Sequence, residues 1–163
     1  SSLPKVYGGF NTSLSWKGFD LSAIFAYSIG GYIYNRDITM ILHNGSLEGR
    51  DWSTEILKRW TPENRYTDVP ALSTTSNNWN SASTRFLQNN SYMRLKNLTL
   101  SYDLPKQWIS KLALSSVQVF VQGDNLFTIH RNQGLDPEQG ITGITYYRYP
   151  AMRTISGGIN LSF

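Results

Sequence analysis

His43 and His130 are the only imidazoles in the chain, and no cysteine accompanies them. They sit far apart in loop-like sequence, without the spacing of metal ligands and without a partnered nucleophile that would make either a general base. The absence of cysteine removes disulfides, thiolate zinc sites and a thiol nucleophile. Asp136 and Glu138 would suit paired acid–base work, but Asp136-Pro137 followed by Gly140 reads as a turn. No glycine-rich strand-to-helix turn cradles a phosphate, and none of the many serines sits in a nucleophile elbow. The sequence therefore predicts no enzyme, no metal and no cofactor. What remains is the chemistry of binding. Trp52, Trp60, Trp79, Tyr146, Tyr147 and Tyr149 fall in irregular stretches, where their faces suit sugar rings or peptide side chains, or packing within the loops or against a covering protein. Asn11, Asp20, Asn97, Gln118, Gln122, Asp124 and Asn160 recur at alternate positions of apolar–polar stretches and suit a wet cavity.

Those polar residues need strands to position them, and period two is the dominant pattern. A first strand is expected over about Val6 to Trp16, with Phe10, Leu14 and Trp16 on one face and Asn11, Ser13 and Ser15 on the other. Lys17-Gly18 makes a two-residue connection to a second strand, Phe19 to Ile29. Such a hairpin pairs Trp16 with Phe19 and joins the two apolar faces. Three further strands are expected at about 91–104, 116–127 and 153–163. Long irregular stretches lie at about 30–90 and 128–152, the first with a short helix capped by Ser53 and stopped by Pro62.

Connections thus alternate between short and long, the rule for outer-membrane barrels with short periplasmic turns and long extracellular loops. Each strand is close to the ~9–11 residues that a tilted strand needs to cross a bilayer. Trp16, Phe19, Tyr102 and Phe163 are expected at the periplasmic interface, and Tyr7, Tyr27 and Tyr92 at the outer one.

Composition agrees. Of the 163 residues 40% are hydrophobic, 13% aromatic and only 16% charged, against ~25% charged in a typical soluble domain. The net charge is +4, but Lys58-Arg59 is the only adjacent basic pair, so no nucleic-acid surface is expected. No run approaches the ~18 apolar residues of a membrane helix, which leaves a barrel open. The first residues lack the basic start and apolar stretch of a secretory leader. A soluble β-sandwich binding carbohydrate is the alternative, since it also alternates. The polar faces argue against it: they are Ser, Thr, Asn and Gln with few of the Lys and Glu that cover a soluble surface.

The run SYMRLKNLTLSYDLPKQWISKLALSSVQVFVQGDNLFT (Ser91 to Thr128) resembles the end of SusC/RagA-type TonB-dependent transporters of Bacteroidetes. GLDPE (Gly134 to Glu138), YPAMRTISGGINLSF (Tyr149 to Phe163) and PKVYGGFNTSLSWKGFDLSAIFAYSIGGYIYN (Pro4 to Asn35) fit the same pattern. The resemblance spans nearly everything except about 36–89. It implies an all-β antiparallel membrane barrel of about 22 strands, of which this chain supplies the last five, with the plug domain outside it. It also implies import of glycans or peptides across the bacterial outer membrane, energised by TonB through the missing part, with a SusD-like surface lipoprotein as lid. The partners expected on this basis are the remaining strands and plug, membrane lipid, and the barrel-assembly machinery, for which Phe163 resembles the assembly signal.

Overall fold

The computed structural model describes residues 1–43, 47, 49–73, 81–109, 114–132, 134, 136–138 and 140–163. Five long strands form one antiparallel sheet: β1 (Val6–Trp16), β2 (Phe19–Ile29), β5 (Tyr92–Asp103), β6 (Ser116–His130) and β8 (Thr154–Ser162), in the order β1-β2-β5-β6-β8. Three short strands form a second sheet, with β4 (Leu87–Asn89) and β7 (Ile144–Thr145) flanking β3 (Tyr32–Asn35).

The tight turn after β1 sets the register. Lys17 and Gly18 have φ of 48° and 86°, the doubly positive pair that matches strand twist in a two-residue hairpin. Trp16 then faces Phe19, Leu14 faces Leu21 and Phe10 faces Phe25. Because side chains alternate strictly, this pairing propagates. Phe19 lies opposite Tyr102, Tyr102 opposite Val119, and Val119 opposite Ile159. One face of the whole sheet is therefore apolar, and most of it is uncovered: Val121 is 49% exposed, Ile159 62% and Ile155 72%, while Leu95 and Val117 on the same face are buried. A β-sandwich would bury this face against a second sheet. At the short-turn end it finishes in aromatics, with Phe19 and Tyr102 rings 4.4 Å apart and Lys17 over Trp16. Tyr27 lies on the apolar face near the other end, but Tyr7 and Tyr92 both pair with Ser28 and so share the polar face. Alternation moves these two out of the expected aromatic girdle.

The long-loop end is built differently. Ile33, Ile56, Val69 and Phe86 are buried there, with Tyr34 meeting Phe86 edge-on at 6.0 Å. Asn35 caps the short helix α1 (Arg36–Ile41) by accepting from the Ile38 N–H at 3.0 Å. Ser53 does act as an N-cap, but it starts a 3-10 turn over Thr54–Lys58 that ends before Pro62. β3 and β7 belong to the two different long loops, and Tyr34 N–H donates to Gly143 O at 2.7 Å. The two loops are thus one packed unit.

Candidate functional site

The sheet register sets Asn11, Asp20, Asn97, Gln118, Gln122, Asp124 and Asn160 on the face opposite the aliphatic one. Six of the seven are joined to a neighbour by a side-chain hydrogen bond. Asn97 donates to Asp124 at 2.8 Å and accepts from Thr99 at 2.9 Å. Gln122 donates to Asp124 at 3.3 Å. Gln118 donates to Asp103 at 2.9 Å and accepts from Asn160 at 3.2 Å, while Ser15 donates to Asp20. This face carries three separate hydrogen-bonded groups of amides, hydroxyls and carboxylates, suited to wet surroundings and hydroxyl- or amide-bearing solutes.

A bulge breaks the ladder where the network begins. Registers shift at Lys96 on β5, and Asn125 on β6 takes a φ of 52°. Space rather than φ requires Gly123 here: an added Cβ would meet the Leu126 side chain at 2.7 Å. Asn125 tolerates the left-handed backbone and donates to Met152 O at 3.2 Å, tethering the approach to β8. Bulges re-aim side chains, and this one accompanies Arg94, Lys96 and Asn97 at the polar face.

Arg94 and Lys96 hold the site that the sequence did not reveal. The Arg94 side chain is buried, and its Nε donates to Thr128 at 2.9 Å. Its Nη1 donates to Glu138 at 2.8 Å and its Nη2 to Asp136 at 2.5 Å. Lys96 Nζ reaches both Glu138 oxygens, at 2.6 and 2.5 Å. Asp136 also accepts the N–H groups of Glu138 at 2.9 Å and Ala151 at 2.7 Å. Burial alone would raise the Asp136 carboxyl, but those two backbone donors and the Arg94 guanidinium outweigh it and hold the group below its usual range. The Asp-Pro turn expected from sequence therefore also clips the second long loop onto the wall.

That loop carries the tyrosines. Tyr146 and Tyr147 rings lie 4.3 Å apart, and Arg36 stacks over Tyr146 at 4.8 Å. Tyr147 has a φ of 48°, a strained backbone for a large residue. Asp37 accepts its N–H at 3.0 Å, and Arg50 donates to its hydroxyl at 3.3 Å. Tyr149 projects outward, Trp60 is exposed elsewhere, and Trp52 packs edge-on against buried His43. Trp79 lies outside the described residues. His43 makes no hydrogen bond to any described residue, whereas His130 Nδ1 lies 2.9 Å from Asn132 O at the end of β6. Among the described residues no three candidate ligands converge on a metal position.

Comparison with known proteins places this arrangement. No protein-family model matches the chain. The RagAB peptide importer in its open-open state superposes over 100% of the chain with a TM-score of 0.89 and 35% identity, using 18% of that importer chain. The TonB-dependent receptor P3 of Formosa agariphila is 33% identical over 171 aligned residues, 98% of this chain and 16% of the receptor. The chain is a segment of the SusC/RagA family of TonB-dependent receptors. The receptor SusC of Bacteroides thetaiotaomicron is 28% identical across 97% of the chain and 15% of its own length. A SusC/RagA segment resides in the outer membrane. The chain spans about one sixth of the curated relatives it matches.

Proposed function

We propose that this segment supplies five wall strands and two extracellular loops to a TonB-dependent outer-membrane importer of glycans or peptides. The observation that carries this reading is the five-strand sheet with one exposed aliphatic face and one hydrogen-bonded polar face. In a membrane barrel these are the lipid and lumen sides, so Asn11, Asp20, Asn97, Gln118, Gln122, Asp124 and Asn160 line the lumen. Both edges, β1 and β8, pair with further strands of the receptor, since unpaired backbone in lipid is costly. The segment works in transport rather than catalysis, in keeping with relatives named as receptors and importers. TonB acts through a plug beyond this chain, a SusD-like lipoprotein covers the loops, and the barrel-assembly machinery reads Phe163.

Trp52, Trp60, Tyr146, Tyr147 and Tyr149 contact cargo or lid in this reading. Uptake of labelled oligosaccharide and labelled peptide by cells carrying the full receptor tests it. Tyr146→Ala with Tyr147→Ala is expected to lower uptake of one of them at unchanged surface level. Unchanged uptake of both would remove the tyrosines from the transport path.

A further inference from the structure

The long-loop end of the aliphatic face carries a feature that import does not use. β2 stops at Gly30, whose φ is +85°, and Lys5 folds against it: a Cβ at Gly30 would meet Lys5 Cγ at 3.0 Å. Beside them lies a cavity of about 400 Å³ whose lining includes Lys5, Gly30, Gly31, Asn89, Ser91 and Arg131. Ser91 and Arg131 also line a groove of about 220 Å³ together with Ile29, Met93 and Ile129. Met93 and Ile129 pair with each other on the aliphatic face. The cavity and the groove thus adjoin through Ile29, Ser91 and Arg131, with Lys5 and Asn89 in the first and Met93 and Ile129 in the second.

Charge completes the picture. Lys5 and Arg131 are exposed, and neither forms an ion pair with a described residue. Among the described residues no carboxylate lines either cavity. The neighbouring cations Arg94 and Lys96 are, by contrast, matched by Asp136 and Glu138. Ser91 Oγ accepts the Gly30 N–H at 2.9 Å, which leaves its own hydroxyl free to turn toward a ligand. Two unmatched cations and a hydroxyl at the level where an apolar wall ends complement a phosphate above acyl chains.

We propose that this is a binding site for a phosphorylated glycolipid of the outer leaflet. Lys5 and Arg131 hold the headgroup phosphate, Ser91 donates to it, and acyl chains run down the groove over Ile29, Met93 and Ile129. The proposal rests on the reading that the aliphatic face meets lipid and the long loops lie outside the cell.

The test is native mass spectrometry of the delipidated full-length receptor, titrated with purified phosphorylated glycolipid. The Lys5→Gln/Arg131→Gln pair is expected to weaken binding roughly thirtyfold, from about 1 kcal/mol per basic residue. A control pair at the opposite end, Lys17→Gln/Lys106→Gln, is expected to bind as the unaltered receptor does. Equal binding by the Lys5/Arg131 pair, equal loss in the control pair, or undiminished affinity for the dephosphorylated glycolipid overturns the site. Equally tight binding of a glycerophospholipid overturns the choice of lipid. Quenching of fluorophores at Met93→Cys and Ile129→Cys by a lipid-borne nitroxide separates the two readings. Positions shielded from lipid sink the membrane-wall reading itself; lipid-exposed positions with unaltered glycolipid binding by the Lys5/Arg131 pair sink only the site.

Discussion

In the five-strand wall most large aliphatic side chains are exposed, with Leu95 and Val117 the buried exceptions, whereas the loop unit buries Ile33, Ile56, Val69 and Phe86. Ile155 and Ile159 on β8 are 72% and 62% exposed, while Ile33 and Phe86 in the loops are 1% and 2% exposed. One chain thus follows two opposite burial rules within a few ångströms. The wall is ordered by backbone pairing and strict alternation, and in the proposed barrel its apolar side is completed by lipid. The loop unit is ordered like a small soluble protein, by enclosing apolar groups and capping its helix ends. Arg94 and Lys96 join the two, since their side chains leave the wall and bind carboxylates of the loop.

The strongest way to break that union is Arg94→Met. It leaves the buried Asp136 carboxylate without its cation, a loss of ~3–5 kcal/mol for a buried pair. Protease is expected to cut between residues 131 and 152 of the full receptor while the wall stays folded; an uncut loop would show that the ion pairs do not hold it. Phe86→Ala should cost ~3–5 kcal/mol within the loop unit alone. Hydrogen exchange should then accelerate at β3 and β4 and stay unchanged at β5 and β6; acceleration in both regions would mean that they are not separable. Val119→Lys should cost ~2–4 kcal/mol near the bilayer midplane, with Gln118→Lys beside it far milder, as read by denaturant unfolding of the folded receptor. Asn125→Val should cost ~1–2 kcal/mol through its left-handed backbone, and Asn125→Gly should be tolerated. If valine and glycine behave alike, the bulge does not depend on that residue.

Acid offers a milder probe. The Asp136 carboxyl is held below its ordinary value, so its contribution to the latch is full above the ordinary carboxylate range. It fades as the pH falls through the depressed value. Loop protection from acid-stable protease should therefore persist at mildly acidic pH and fail only in strong acid; failure near neutrality would point to another group.

The wall was legible in the sequence because alternation is local. Phe10, Leu14 and Trp16 against Phe19, Leu21 and Phe25 fix the hairpin register without distant information. The end of β6 was less so: it runs to His130, past the expected stop at Phe127, because the bulge at Asn125 hides the continuing alternation. The loop sheet was illegible for a different reason. Tyr34 pairs with Ile144 of another loop, and a parallel pairing of two residues leaves no periodic trace. The latch was half visible. Asp136-Pro137 marks a turn, but the partners of Asp136 and Glu138 are Arg94 and Lys96 on β5, 42 residues earlier, and nothing local to either pair marks the contact.

The most direct test of the account is a cysteine scan of β6 in the full receptor, in native outer membranes, using the absence of cysteine from this segment. Each single cysteine from Val117 to Asp124 would carry a fluorophore and be read against a lipid-borne quencher and a water-soluble one. The account predicts alternation from Gln118 onward, with Val119 and Val121 quenched from the lipid, Gln118, Gln122 and Asp124 from water, and buried Val117 quenched weakly from either side. Uniform quenching from water, or alternation of the opposite phase, would contradict it.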